Sequence, residues 1–136
     1  MLNSKKSKAF TLVEIMFVVA IIALLVVIAL PNFLRSRKRS QASKILEDLR
    51  ILDSAIEQYA LDNSKGSDTL VEFADLQKYL KADSNIYHSN GKDLFGNSFG
   101  PNSDGTFAVD TIPQVSTATF NNLSDVAPAE FWSPYH

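Results

Sequence analysis

The sequence contains no cysteine and only two histidines, His88 and His136, among its 136 residues. Without cysteine the chain has no disulfide framework, no thiolate zinc site and no cysteine nucleophile. Two histidines leave little material for a histidine-based catalytic or metal site. A Gly-x-x-x-x-Gly-Lys-Ser/Thr phosphate loop is also missing, so nucleotide hydrolysis of that type is excluded.

The chain has no large excess of charge of either sign, with 13 basic and 15 acidic side chains. This balance excludes a uniformly basic nucleic-acid-binding protein. The distribution along the chain is uneven, because residues 1–50 hold nine basic and three acidic groups, whereas residues 51–136 hold four and twelve. The asymmetry indicates two parts that lie in different surroundings.

Apolar residues are concentrated near the amino terminus, where Ile15–Leu30 is an uninterrupted apolar run. With Phe10–Val13 the stretch has 21 residues, interrupted only by Thr11 and Glu14. A helix of that length reaches about 30 Å, which is the thickness of a bilayer's hydrocarbon core. We therefore predict a transmembrane helix. Two alternatives fit less well. A cleaved secretory signal would need a small-x-small cleavage site, which is missing after the apolar run. A plain uncleaved anchor would not explain Glu14, a carboxylate within the apolar stretch.

The junction Lys8-Ala9-Phe10-Thr11-Leu12-Val13-Glu14-Ile15, followed by the apolar run, resembles the class III signal of type IV pilins and type II secretion pseudopilins. The resemblance implies that residues 1–9 are a leader, that prepilin peptidase cuts between Ala9 and Phe10, and that Phe10 is then N-methylated. Thr11, Glu14 and Pro31 match the family's second mature position, its fifth-position acid and its proline. Ala9 departs from the pattern, in which glycine is usual.

The same resemblance implies a function in assembly and no enzymatic activity. In the family, the acid, here Glu14, is thought to meet the amino-terminal amine, here that of Phe10, of a neighbouring subunit. Pairing offsets the cost of two isolated charges in an apolar bundle and sets the axial register of the helices. We expect a pseudopilin that forms a periplasmic pseudopilus for type II secretion. The alternative is a type IV pilin for adhesion, motility or DNA uptake.

The expected location and partners follow from the same family. The chain would cross the bacterial inner membrane once, with its carboxy-terminal domain in the periplasm. Its partners would be membrane lipid, copies of itself, minor pseudopilins, prepilin peptidase and an inner-membrane assembly platform, with no nucleic acid. A hydrolase is the competing class, since His88 with Ser84 or Ser89 offers nucleophile chemistry. A loop rich in serine and asparagine accounts for these residues more simply.

Beyond Pro31 the sequence predicts that the helix continues and then meets a small domain. Apolar residues fall on one helical face at Ala42, Ile45, Leu49, Leu52, Ile56 and Tyr59. The spacing predicts one helix over roughly 10–63, with residues 10–30 in the membrane, 31–63 amphipathic, and Gly66 as its carboxy-terminal cap. Residues 64–136 form the globular part. The fold class is α+β and pilin-like, a long helix packed on a small antiparallel sheet domain.

Shorter signals predict the elements of the globular part. A Thr-x-x-Glu pattern at Thr69–Glu72 predicts the start of a short helix that ends near Lys81. Residues 106–110 are predicted as a strand, and 115–120 as a weaker one. The aromatic residues of 128–136 are expected to dock on the domain.

Two further patterns bear on the site. Asp93-Leu94-Phe95-Gly96-Asn97-Ser98-Phe99 resembles a Gly/Asn turn segment of major pseudopilins, which favours that branch of the family. Major pseudopilins often hold calcium through oxygens of carboxy-terminal loops, so the resemblance makes Asp104, Asp110 and Asp125 candidate calcium ligands. Their spacing matches no recognisable calcium-binding pattern. No metal site other than this calcium candidate and no other cofactor is expected.

Overall fold

A computed structural model describes residues 9–102 and 104–136. Its contacts divide the chain into two compact units, the first ending at Ser36 and the second running from Arg37 to His136. The first unit is helical from Leu12 onward, and the second contains all the strands and short helices of the described residues.

The long helix predicted over roughly 10–63 is confirmed as α1, Leu12–Asn63. Pro31 lies inside α1 without ending it. The helix stops in a Schellman motif, in which Lys65 N–H donates to Ala60 O at 3.1 Å and Ser64 N–H to Leu61 O at 3.5 Å. The cap prediction at Gly66 is therefore wrong. Ser64, with φ of 48°, occupies the left-handed position instead.

The core of the second unit forms around the predicted apolar face of α1. Ala42, Ile45, Leu49 and Leu52 are completely buried and belong to one cluster with Val71, Phe99, Phe107 and Trp132. Burying each large apolar side chain contributes about 1.5–3 kcal/mol, which is the main stabilisation available to a unit of this size. The docking expected for the carboxy-terminal aromatics is confirmed, because Trp132 is buried and its Nε1 donates to Ala127 O at 3.0 Å.

The sheet consists of two antiparallel strands, β1 (Leu70–Glu72) and β2 (Thr106–Ala108), with Val71 opposite Phe107. The helix start predicted at Thr69–Glu72 is wrong, because Leu70–Glu72 pairs with β2 and the Thr69 hydroxyl donates to Gly66 O. Helix α2 (Phe73–Leu76) begins directly after β1 and continues as a 3₁₀ turn. The predicted strand 106–110 is confirmed for its first three residues.

Three short helices complete the unit: α3 (Asn85–His88), α4 (Thr117–Leu123) and α5 (Ala129–Trp132). The weaker strand predicted at 115–120 is wrong, because α4 starts there. Ser116 Oγ accepts a hydrogen bond from Thr119 N–H at 3.2 Å and so caps α4. Gln114, just before this segment, forms an isolated antiparallel bridge with Gly100.

Candidate functional site

The Ala9–Phe10 bond lies in a non-helical stretch immediately before α1. Ala9 and Phe10 are both exposed, and the Phe10 residue keeps 84% of its accessible surface. An exposed and non-helical bond is the kind of peptide that a protease can engage. The remainder of the predicted leader, residues 1–8, lies outside the described residues. The processing role of Ala9 and Phe10 stays a prediction.

Thr11 and Glu14 form a reciprocal capping box at the start of α1. Thr11 N–H donates to Glu14 Oε2 at 3.0 Å, and Glu14 N–H donates to Thr11 Oγ1 at 3.2 Å. Two amide donors that lack helical partners are thereby satisfied, and the carboxylate lies at the positive end of the helix dipole. Glu14 therefore has a partner within its own chain.

Sequence reasoning missed this capping box, although its signal was available. The Thr-x-x-Glu pattern occurs at 11–14 and again at 69–72, and only the second was interpreted as a cap. In the structure the first pattern forms the cap and the second lies at a strand. The first pattern precedes a long helical run, which is the context that the motif requires.

The apolar part of α1 presents its side chains to the outside. The window that is long and apolar enough to cross a membrane has none of its residues buried. Large exposed residues include Phe17, Ile22, Leu25 and Ile28. A continuous apolar surface of this size marks an interaction with lipid or with other chains.

Pro31 interrupts the hydrogen-bond ladder of α1 at the end of the apolar run. Proline has no N–H, so one carbonyl of the preceding turn loses its helical donor. The next residue, Asn32, donates its side-chain Nδ2 to Ile28 O at 3.5 Å. The helix is continuous through this point, and the assembly role of Pro31 stays a prediction.

The three calcium candidates lie in separate local environments. Asp104 Oδ1 accepts from Thr106 N–H at 3.0 Å and from its hydroxyl at 2.7 Å, and these bonds lower the pKa of Asp104. Asp110 is exposed, and both oxygens of Asp125 lie 3.1 Å from Lys38 Nζ. Within residues 9–102 and 104–136 no group of three or more acids or histidines could hold a metal ion. A calcium site stays a prediction.

The Asp93–Phe99 turn is fixed by a buried carboxylate. Asp93 Oδ1 accepts from the N–H groups of Phe95 and Asn97 at 2.9 Å each, and Asp93 Oδ2 accepts from the Thr119 hydroxyl. Asn97 Nδ2 donates to Thr119 Oγ1 at 2.9 Å. These bonds join the turn to α4, which gives the segment a structural role within the second unit.

A second buried carboxylate, Asp48, lies in the part of α1 that belongs to the second unit and is 6% exposed. Burial raises the pKa of Asp48, and nearby Lys44 opposes this effect. The charged form is therefore less favourable in the folded chain than in the unfolded one.

The hydrolase alternative gains no support from the geometry. Ser84 Oγ donates to Lys81 O at 2.7 Å, and Ser89 Oγ to Lys92 O at 2.6 Å. The His88 ring packs edge-on against Tyr87, with 5.6 Å between the centroids. Both hydroxyls thus serve as local turn bonds to the backbone.

Comparison with protein families identifies the amino-terminal segment. Residues 4–30 match the family model described as the prokaryotic N-terminal methylation motif. The match includes Ala9, Phe10, Thr11 and Glu14 and the whole apolar run Ile15–Leu30. No solved structure matches the chain significantly.

Curated relatives extend the comparison. The chain is 30% identical over 127 residues to type II secretion system core protein G of Vibrio cholerae, covering 82% of this chain and 84% of that protein. It is 34% identical over 61 residues to the protein of the same name from Klebsiella pneumoniae, covering 44% of that relative. It is 41% identical over 64 residues to the type IV major fimbrial protein FimA of Dichelobacter nodosus, covering 41% of that relative. With these last two relatives the match spans less than half of their length.

Proposed function

Because the chain belongs to the family of type II secretion system core protein G, we propose that it is a structural pseudopilin subunit that assembles with other copies into a pseudopilus. The observation that carries the proposal is the exposed apolar surface of α1, with one carboxylate at its first turn. This surface is stable in a bilayer or in a bundle of similar helices, and unfavourable in water. Transfer between those two environments exposes little apolar area.

The proposal includes processing at Ala9–Phe10. Cleavage by prepilin peptidase would remove the leader and leave Phe10 as the methylated first residue. The position of this bond ahead of α1 and the match to the N-terminal methylation motif support the assignment.

Within the assembly, Glu14 would meet the Phe10 amine of a neighbouring copy. A carboxylate has about four acceptor positions, so the bond from Thr11 N–H to Oε2 leaves capacity for an ammonium donor. Thr11 would hold the side chain at the helix start, where the amine of an adjacent copy can approach. The pairing offsets the cost of burying both charges.

We place the subunit in the bacterial inner membrane, crossed once by α1, with the second unit in the periplasm. Its partners in this proposal are lipid, minor pseudopilins, prepilin peptidase and the assembly platform, with no nucleic acid. The role is structural and not catalytic, which agrees with the local backbone bonds of Ser84 and Ser89.

The second candidate is a type IV pilin for adhesion, motility or DNA uptake, and the likeness to FimA favours it. Deleting the gene separates the two functions. Loss of secreted proteins with normal surface pili supports the pseudopilin, and loss of surface pili with normal secretion supports the pilin.

The intact mass of the chain purified from its native membrane tests the processing step. In cells with prepilin peptidase the expected mass is that of residues 10–136 with one added methyl group. In cells without the peptidase the expected mass is that of the full chain. Ala9→Gly restores the residue usual in the family and should be processed at least as fast. Ala9→Asp should accumulate uncleaved, and assembled filaments that retain residues 1–8 would refute the proposal.

A further inference from the structure

A surface groove of about 450 Å³ runs beside the carboxy-terminal half of α1 in the second unit. Its lining includes Asp53, Ile56, Glu57, Leu61, Asp110 and Ile112. Leu61 is 81% exposed and Ile112 is 42% exposed. Exposed large apolar residues beside a groove are typical of a docking surface.

The lining of this groove is acidic as well as apolar. Asp53, Glu57 and Asp110 contribute carboxylates to the lining, and none of the described residues that line the groove is basic. Among residues 9–102 and 104–136 the ion pair found is Lys38–Asp125, so these three acids are not in ion pairs within the described part. A groove lined by both apolar side chains and carboxylates fits an occupant that has long basic side chains, because an arginine stem covers apolar surface while its head meets a carboxylate.

The chain itself carries such a segment on α1. Arg37 and Arg39 are exposed, whereas Lys38 between them forms an ion pair with Asp125. Arg39 and Glu57 are 18 residues apart, which is five turns of a 3.6-residue helix, so both lie on the same side of α1. The sequence repeats this relation four residues earlier, with Arg35 and Asp53.

Arg39 cannot reach the groove of its own copy, because 18 helical residues separate it from Glu57 by about 27 Å along the axis. A second copy that is parallel, shifted by the same distance and rotated by about half a turn about the axis between the two helices brings its Arg39 opposite Glu57. The rotation is required because residues on the same side of two parallel helices otherwise point in the same direction. The basic segment and the groove are different surfaces, so the contact is head-to-tail and repeats without closing. Copies that leave one membrane in the same orientation meet the parallel requirement.

We propose that the segment of α1 around Arg39 docks in the Asp53–Glu57 groove of a second copy, and that this contact sets an 18-residue stagger between neighbouring helices. The inference rests on the proposed assembly function and adds a contact outside the membrane-embedded part. Arg39 pairs with Glu57, and its stem covers Leu61 and Ile112 of the neighbour.

Crosslinking in full-length chains tests the contact directly, because the native chain has no cysteine and gives no background. A chain with Arg39→Cys and Glu57→Cys is assembled in cells that carry its secretion apparatus. It is then treated with a bismaleimide that spans the separation of packed helices, about 8–10 Å. We expect a ladder of dimers, trimers and higher multimers, since each copy offers both halves of the contact.

The matched control is a chain with Arg37→Cys and Glu57→Cys. Arg37 is exposed, as Arg39 is, but lies about 200° around the helix from it, so this pair should give no ladder. Filaments without a 39–57 ladder, or with equal ladders from both pairs, overturn the inference and leave the proposed function standing. If the native chain forms no filaments, the proposed function fails and the inference fails with it.

Charge reversal gives an independent measurement that requires no crosslinker. Arg39→Glu or Glu57→Arg alone should lower the sheared-filament yield about tenfold, because like charges then face each other. Combining the two restores the opposite charges and should recover the yield, whereas Arg37→Glu should leave it unchanged. Membrane levels of processed subunit are matched first. Normal yields from both single variants overturn the inference.

Discussion

The capping box at the start of α1 makes it possible to separate two roles of Glu14. Glutamine is accepted at the third helical position of a capping box, so Glu14→Gln keeps an acceptor for Thr11 N–H and removes the charge. Glu14→Ala removes both. Membrane insertion depends on apolar length, and Ala9–Phe10 is unchanged, so both variants should insert and be cleaved.

The two roles differ in magnitude. Losing the cap costs about 1 kcal/mol of helix stability, confined to one end of a 52-residue helix. Losing the charge-assisted part of an amine–carboxylate bond costs about 1–3 kcal/mol at each subunit contact. That cost corresponds to roughly five- to 150-fold in the equilibrium for adding one subunit, and it recurs along the filament.

The assay is sheared-filament yield at matched membrane levels of processed subunit. Glu14→Gln should reduce the yield almost as strongly as Glu14→Ala, and Glu14→Asp should be intermediate, with charge kept and reach shortened. Normal assembly by Glu14→Gln together with failure of Glu14→Ala would show that Glu14 acts as a helix cap and would refute the pairing argument. Normal assembly by both would make it a tolerated interfacial carboxylate.

Three further predictions concern the second unit and are measured by thermal and denaturant unfolding of a fragment that starts near Gln41, which we expect to be soluble and monomeric. Thr119→Val removes the hydroxyl that donates to Asp93 and should lower the free energy of unfolding by about 1–3 kcal/mol. Thr119→Ser keeps the hydroxyl and should lower it less. Equal losses from the two variants would contradict the role of this hydrogen-bond network. Burial raises the pKa of Asp48 above its ordinary value of 3.8, so on raising the pH Asp48 ionises first in the unfolded chain. The free energy of unfolding therefore falls as the pH rises from 3.8 through the pKa of Asp48 in the folded chain. Asp48→Asn should therefore increase the free energy of unfolding at neutral pH but not well below pH 3.8, and an equal gain at both would assign the effect to packing. Ser64→Gly should stabilise by about 0.5–1 kcal/mol because glycine relieves the positive φ, while Gly66→Ala should be nearly neutral; the reverse order would place the cap at Gly66.

Sequence reasoning succeeded where the controlling signal is local and long. The bounds of α1 follow from apolar length and from a helical period that both persist for tens of residues. The buried face at Ala42, Ile45, Leu49 and Leu52 follows from the same period, since residues three and four apart share a side of a helix. The processing and assembly residues come from a resemblance and stay predictions; the methylation-motif match covers Ala9, Phe10, Thr11 and Glu14 but ends before Pro31.

Sequence reasoning failed where a short segment has two local options and a distant partner selects between them. Thr69–Glu72 has a helix-start pattern, but Val71 pairs with Phe107, and the ladder with β2 outweighs a local cap. Residues 115–120 look like a strand, yet Ser116 caps α4 and Thr119 bonds to Asp93, which is 26 residues away in the chain.

Local sequence therefore accounts for the apolar length that could cross a membrane, the continuous helix and the family of the amino terminus, because each depends on residues adjacent in the chain. Contacts between distant segments select the strand at Leu70–Glu72 and bring Asp53 and Glu57 of α1 together with Asp110 and Ile112 around one groove. These features depend on pairings between distant segments, whose free energy of burial and hydrogen bonding exceeds the small local preferences that a sequence pattern records.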